Sequence, residues 1–156
     1  MKNIKKILLV CTGNSCRSIM AEGYLSKRLG EMNAEDILVV SSGTGALPGL
    51  KPTEDAIKVM KEHDIDISGH TSSSLNKTRI ENADIILVME PIHKERIEYM
   101  VPAAKDKTYL LREFSEEKNK KDNFIVDPMG QSIDFYRETF DVIKSSIEGF
   151  LKWLNE

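Results

Sequence analysis

Short apolar runs alternate with segments of helical periodicity along this chain, and no other feature restricts its fold as strongly. Ile7 to Val10, Ile37 to Val40 and Ile85 to Met89 have the length and composition of strands buried on both faces, and Tyr109 to Leu111 is a weaker fourth. After Arg17, the residues Ala21, Tyr24, Leu25 and Leu29 recur at helical spacing, with Gly30 read as the stop. Thr53 opens a second helix, placing Glu54 and Asp55 at its positive end and Ile57, Val59 and Met60 for packing. Pro91 suits the first position of a third, which carries Ile92, Ile97 and Met100. The longest pattern is C-terminal: Ile133, Tyr136, Phe140, Ile143, Ile147, Leu151 and Leu154. Gly149 is expected to weaken that helix by about 1 kcal/mol relative to alanine without ending it. Strand and helix in alternation predict an α/β layer fold around a parallel sheet with right-handed crossovers.

At 156 residues the chain can bury a core without staples, and a single domain over 1–156 is expected. Its formal charge of -3 offers no basic face for a phosphate backbone, so nucleic acid is not an expected partner. The basic start "MKNIKK" imitates a secretion signal, but the apolar run after it breaks off at "CTGNSC", too short for a signal core or a membrane span. A cytoplasmic protein without membrane association, and a monomer, is the expectation. Cys11 and Cys16 make no disulfide framework, and with no histidine nearby their spacing is poor for structural zinc, which leaves catalytic or redox use of the thiols open; no cofactor is expected. Ser115 to Phe124, "SEEKNKKDNF", reads as a charged, turn-forming surface connection.

Ligands of open parallel sheets bind at the carboxyl ends of strands, where "CTGNSCRS" follows the first apolar run. Gly13 and Asn14 tolerate unusual backbone angles, so successive N–H groups can turn inward as an anion nest, with the next helix adding its positive end. The Walker pattern is absent, which leaves covalent chemistry. Cys11, at the strand end, would lie under the nest, where the N–H groups favour its thiolate as a nucleophile. Arg17, six positions on, can return its planar fork to two phosphoryl oxygens. Taken singly, Cys11 reads as a small buried hydrophobe and Arg17 as a solvated helix residue; the C-x5-R pattern between strand and helix points to a phosphate-type catalytic loop.

"VCTGNSCRS" near the N-terminus and Asp127-Pro128 near the C-terminus resemble the low-molecular-weight protein tyrosine phosphatase family. "SSGT" at Ser41 to Thr44, "GHTSSSL" at Gly69 to Leu75 and "ADIILVME" at Ala83 to Glu90 are similar to its intermediate segments, so the likeness spans almost the whole chain. The resemblance implies a three-layer, flavodoxin-like fold with a four-stranded parallel sheet, metal-free chemistry and a phosphocysteine intermediate. It implies Cys11 as nucleophile, Arg17 as phosphate clamp and Asp127 as general acid, with Thr12, Gly13, Asn14, Ser15, Cys16 and Ser18 lining the phosphate loop. Asn14, Ser18, Ser42 and His70 match residues that brace this loop by hydrogen bonds. Ile19 departs from the family's usual proline, which removes a preset helix start and touches no reacting group. Cys16 reads as a packed thiol or as a trap for oxidised Cys11. Arsenate reductases on this scaffold need further cysteines, which this chain lacks.

Phosphorylated protein is the implied substrate, and the side chain it carries is the open question. A phosphotyrosine ring asks for flat aromatic walls, whereas the corresponding stretches here read "DPMGQS" and "GTGALPGL", with Met129, Gly130, Leu47 and Pro48. Ser15 resembles the small hydroxyl residue, usually threonine, of the family's arginine-phosphatase branch, and "DPMGQSIDFY" is similar to that branch's segment. A cationic, donor-rich guanidinium suits Asp127 and a hydroxyl better than an apolar slot. Phosphoarginine is therefore the favoured substrate and phosphotyrosine the alternative; a noncatalytic phosphate-binding module is the reading from a different class.

Overall fold

The computed structural model describes residues 2–117 and 122–156. Four strands, β1 (Lys6–Cys11), β2 (Leu38–Gly43), β3 (Ile85–Val88) and β4 (Thr108–Leu110), form one parallel sheet in the order β2-β1-β3-β4. The helices are α1 (Arg17–Glu31), α2 (Glu54–Lys61), α3 (Lys77–Asn82), α4 (Pro91–Met100) and α5 (Ile133–Leu154), with 3-10 turns at Pro102–Lys107 and Leu111–Phe114. The segment 118–121, within the charged connection expected from Ser115 to Phe124, lies outside the described residues.

The alternation of side chains along β1 divides the core into two layers. Ile7, Leu9 and Cys11 pack toward α1, α2 and α5, while Leu8 and Val10 pack toward Ile80 of α3, Ile97 of α4 and Ala104 of the first 3-10 turn. All four residues from Ile7 to Val10 are fully buried, which is why the run is continuously apolar rather than alternating. The chain leaves β1 for β2 on one side and later returns to β3 on the other. The strand order reverses at β1, so a crevice opens beyond its carboxyl end.

Several element ends differ from the sequence reading. Helix α1 continues past Gly30 to Glu31, and the turn falls at Asn33, whose φ of 58° is a left-handed conformation that asparagine tolerates. Strand β2 begins at Leu38 and extends past Val40 through Ser41, Ser42 and Gly43, because its polar end pairs beside Val10 and Cys11 rather than in a core layer. Helix α3, capped by the Asn76 side chain accepting from the Arg79 N–H at 2.8 Å, is too short for periodicity to reveal. Gly149 has a packing role: a Cβ there would lie 1.7 Å from the Phe114 carbonyl oxygen, so its absence lets α5 lie against the second 3-10 turn.

Candidate active site

The loop from Thr12 to Cys16 joins the end of β1 to the start of α1 in the crevice where the strand order reverses. Cys16 is the N-cap of α1, yet no side chain caps that end and no acidic residue occupies its first turn, so the positive end of a 15-residue helix is left to an anion. Two donors converge on the Cys11 sulfur: the Asn14 N–H at 3.3 Å and, by the argument below, the Ser18 hydroxyl at 2.9 Å. Asn14 makes the turn with φ 50° and is completely buried.

The orientation of the Asn14 amide follows from a backbone group that can only donate. The Ser73 N–H reaches Asn14 Oδ1 at 3.0 Å, so Nδ2 donates to Ser18 Oγ at 2.8 Å and to Ser41 Oγ at 3.0 Å. Ser18 thereby accepts from Asn14, and its own proton is free to point at the Cys11 sulfur. His70 Nε2 completes the set at 3.3 Å from Oδ1, and its Nδ1 lies 3.7 Å from a Glu22 carboxylate oxygen. Every donor and acceptor of the asparagine side chain is used, which holds a buried left-handed residue in place.

One bracing residue expected from sequence is corrected. Ser42 Oγ lies 3.3 Å from Ser73 Oγ and 3.3 Å from an Arg79 nitrogen, on the opposite face of β2 from the residue that touches Asn14. That residue is Ser41, paired in register with Leu9, whose face also carries Cys11; Ser42 pairs with Val10. Strand periodicity fixes the choice between two neighbouring serines, but only once the register is known. Gly43 permits the close approach of β2 to the loop, since a Cβ there would lie 2.4 Å from the Thr12 carbonyl oxygen. That carbonyl accepts from the Gly45 N–H at 2.9 Å, and the Ser15 carbonyl accepts from the Thr53 N–H at 3.0 Å. The Ser15 side chain folds over Gly13, where an added Cβ would meet its hydroxyl at 3.3 Å.

Arg17 is only 2% exposed, so its charge must be matched locally. One terminal nitrogen, Nη1, donates to Glu90 at 2.5 Å and to the Ile125 carbonyl at 2.8 Å. The opposite edge is different: Nε is buried without an acceptor among the described residues, and Nη2 has an Asp127 oxygen 3.8 Å away. A buried guanidinium with one satisfied corner and one open Nε/Nη2 edge is shaped for a bidentate oxyanion.

Asp127 serves two contacts with its two oxygens. Oδ1 accepts from the Met129 N–H at 3.0 Å, forming the turn at Pro128, and lies 3.5 Å from the Cys16 sulfur; Oδ2 is the atom near Arg17. Burial first, and the Asp127 charge second, push the Cys16 thiol up to about 12, so it remains protonated and donates to the carboxylate. Both cysteines are free thiols. Leu47 and Met129 are exposed on the two loops that flank the site, at 71% and 51%.

Glu90, His93, Ser41, Ser73 and the Ile125 carbonyl were not identified as site groups from the sequence. Glu90 and His93 sit at the start of α4, whose hydrophobic pattern gives no hint that its first turn faces the phosphate loop. Among the described residues, no group of three or more His, Cys, Asp or Glu side chains is placed to hold a metal ion, and no helix is long and apolar enough to cross a membrane.

A parallel α/β sheet presenting a cysteine, an oxyanion-shaped arginine edge and a carboxylate at its switch point is built to hold a phosphate-type oxyanion beside a thiol. Sequence comparison resolves the class: the profile of the low molecular weight phosphotyrosine protein phosphatases matches residues 6–156, and the chain belongs to that family of hydrolases. It is 35% identical to the protein-arginine-phosphatase of Bacillus subtilis, over 96% of this chain and 97% of that one. It is 33% identical to EpsP of Ralstonia nicotianae, a probable low molecular weight protein-tyrosine-phosphatase, over 95% and 94% of the two chains. A solved structure of the arginine phosphatase YwlE whose active-site serine is phosphorylated superimposes with a TM-score of 0.85 at 34% identity, covering 97% of this chain and 96% of that one.

Proposed function

We propose that the protein is a cysteine-dependent phosphoprotein phosphatase acting on phosphoarginine. The observation that carries the phosphatase reading is the open Nε/Nη2 edge of buried Arg17 in the loop that holds Cys11 between two donors. In the first half-reaction Cys11 attacks phosphorus as its thiolate, the S–P bond forms as the P–N bond breaks, and Asp127, entering in its acid form, passes its proton to the departing guanidine nitrogen. Arg17 and the loop N–H groups take up charge on the phosphoryl oxygens in the transition state. In the second half, water attacks the phosphocysteine, its proton goes to Asp127, and the sulfur leaves as an anion received by Ser18 and the Asn14 N–H.

The aliphatic rim supports the arginine reading. Leu47 and Met129 offer exposed aliphatic surface on the loops beside the site, where a phosphotyrosine ring would favour flat aromatic partners, and Ser15 keeps a hydroxyl in the loop. The alternative, phosphotyrosine, draws on relatives such as EpsP and on the ability of Leu47 and Met129 to flank a ring. Matched peptides carrying phosphoarginine or phosphotyrosine decide between them, with faster phosphoarginine turnover expected and clearly faster phosphotyrosine turnover contradicting the assignment. A protein that binds phosphate but releases none from either peptide would instead be a phosphate-binding module.

A further inference from the structure

His93 is buried to 1% exposure at the start of α4, and both of its ring nitrogens are engaged. Nδ1 lies 3.1 Å from the Glu90 backbone nitrogen and accepts its hydrogen, because an N–H can only donate. That bond fixes the tautomer: the neutral ring carries its proton on Nε2, which lies 2.9 Å from the Thr12 hydroxyl. Thr12 is the first residue of the phosphate loop, and Glu90 holds the buried corner of Arg17. One imidazole thus ties the residue after Cys11 to the residue that anchors Arg17.

We propose that His93 is a positioning residue that sets the spacing between the phosphate loop and the Arg17 guanidinium, acting through its hydrogen bonds to Thr12 and Glu90. The inference rests on the phosphatase reading above, and concerns a residue that does not itself touch the phosphoryl group. Thr12 is held on its other side by its carbonyl, which accepts from Gly45, so the His93 bond is what pins its side chain toward α4. The link requires the neutral ring. A second ring proton would face the Glu90 N–H, and the added charge would sit near Arg17, with Glu90 and Asp127 as the acidic groups nearby.

The test compares wild type, His93→Asn, Thr12→Val and the double variant for inorganic phosphate affinity, for KM with p-nitrophenyl phosphate, and for melting temperature. An asparagine oxygen can replace Nδ1 as acceptor for Glu90 but cannot reach Thr12 as Nε2 does. Each single variant is expected to weaken phosphate binding and raise KM about fivefold, as for one lost hydrogen bond, with the double no worse than either single. Unchanged phosphate affinity and KM alongside a lowered melting temperature would reduce His93 to a packing residue and overturn the proposal, as would additive losses in the double variant. If His93→Asn does not fold, Thr12→Val and Thr12→Ser carry the test: Thr12 is an exposed loop residue, the valine should lose affinity and the serine should restore it, and equal affinities would overturn the proposal. A wild-type protein that neither binds phosphate nor hydrolyses the ester would defeat the phosphatase reading itself, whereas active wild type with unaffected variants defeats this proposal alone.

Discussion

The two serines at the end of β2 show how the loop from Thr12 to Cys16 depends on single side chains outside it. Ser41 Oγ accepts one hydrogen of a completely buried asparagine amide, so Ser41→Ala leaves that donor unpaired in the interior. A loss of about five- to tenfold in kcat/KM is expected for Ser41→Ala, against less than about twofold for Ser42→Ala; a reversed order in steady-state assays would contradict the network. Asp127 belongs at the same scale. Asp127→Asn should slow turnover by about a hundredfold or more while changing inorganic phosphate affinity only modestly, since the proposed acid role is exercised as the leaving group departs. Equal losses in both measurements would instead assign it to binding through Arg17.

Among the elements, α5 closes one face of the molecule and does so through specific contacts at both sides. Glu148 accepts from Tyr24 at 2.5 Å and from Arg28 at 2.8 Å, joining it to α1, and Phe150 and Trp153 meet Phe114 with ring centroids 5.3 and 5.4 Å apart. Gly149 lies between these contacts, against the Phe114 carbonyl. Helix propensity alone says that Gly149→Ala should stabilise; the missing space says the opposite. We expect Gly149→Ala to lower unfolding free energy by about 2–3 kcal/mol, read from denaturant midpoints, because the added methyl must push α5 off the 3-10 turn. An alanine variant as stable as wild type would show that the turn can move aside at no cost.

At the scale of the whole molecule, the buried His93 couples stability to pH. Burial, with repulsion from Arg17 second, lowers its imidazole from the usual 6.5 to about 4. Above about 6.5 the ring is neutral in both folded and unfolded chains, and its contribution is constant. As pH falls below that value the unfolded chain takes up the proton first, so stability declines until the folded ring also titrates near 4. The expected loss is about 2 kcal/mol between pH 7 and pH 5, measurable by chemical denaturation. His93→Asn should flatten that slope, and a slope unchanged by the substitution would place the titration elsewhere.

Much of this protein was legible before any coordinates. Apolar runs located all four strands to within a few residues, because a strand buried on both faces has few alternatives in composition, and helical spacing located α1, α2, α4 and α5. The C-x5-R loop announced the family, since Cys11, Arg17 and the turn between them are contiguous in sequence. Tertiary structure alone decided which serine of β2 braces Asn14, that Gly149 answers to a carbonyl across the interface, and that Glu90 and His93 stand behind the loop. The division has a physical cause. Local chemistry and periodicity are written along the chain, whereas strand register, close approach and the partners of a buried charge exist only between segments that folding brings together.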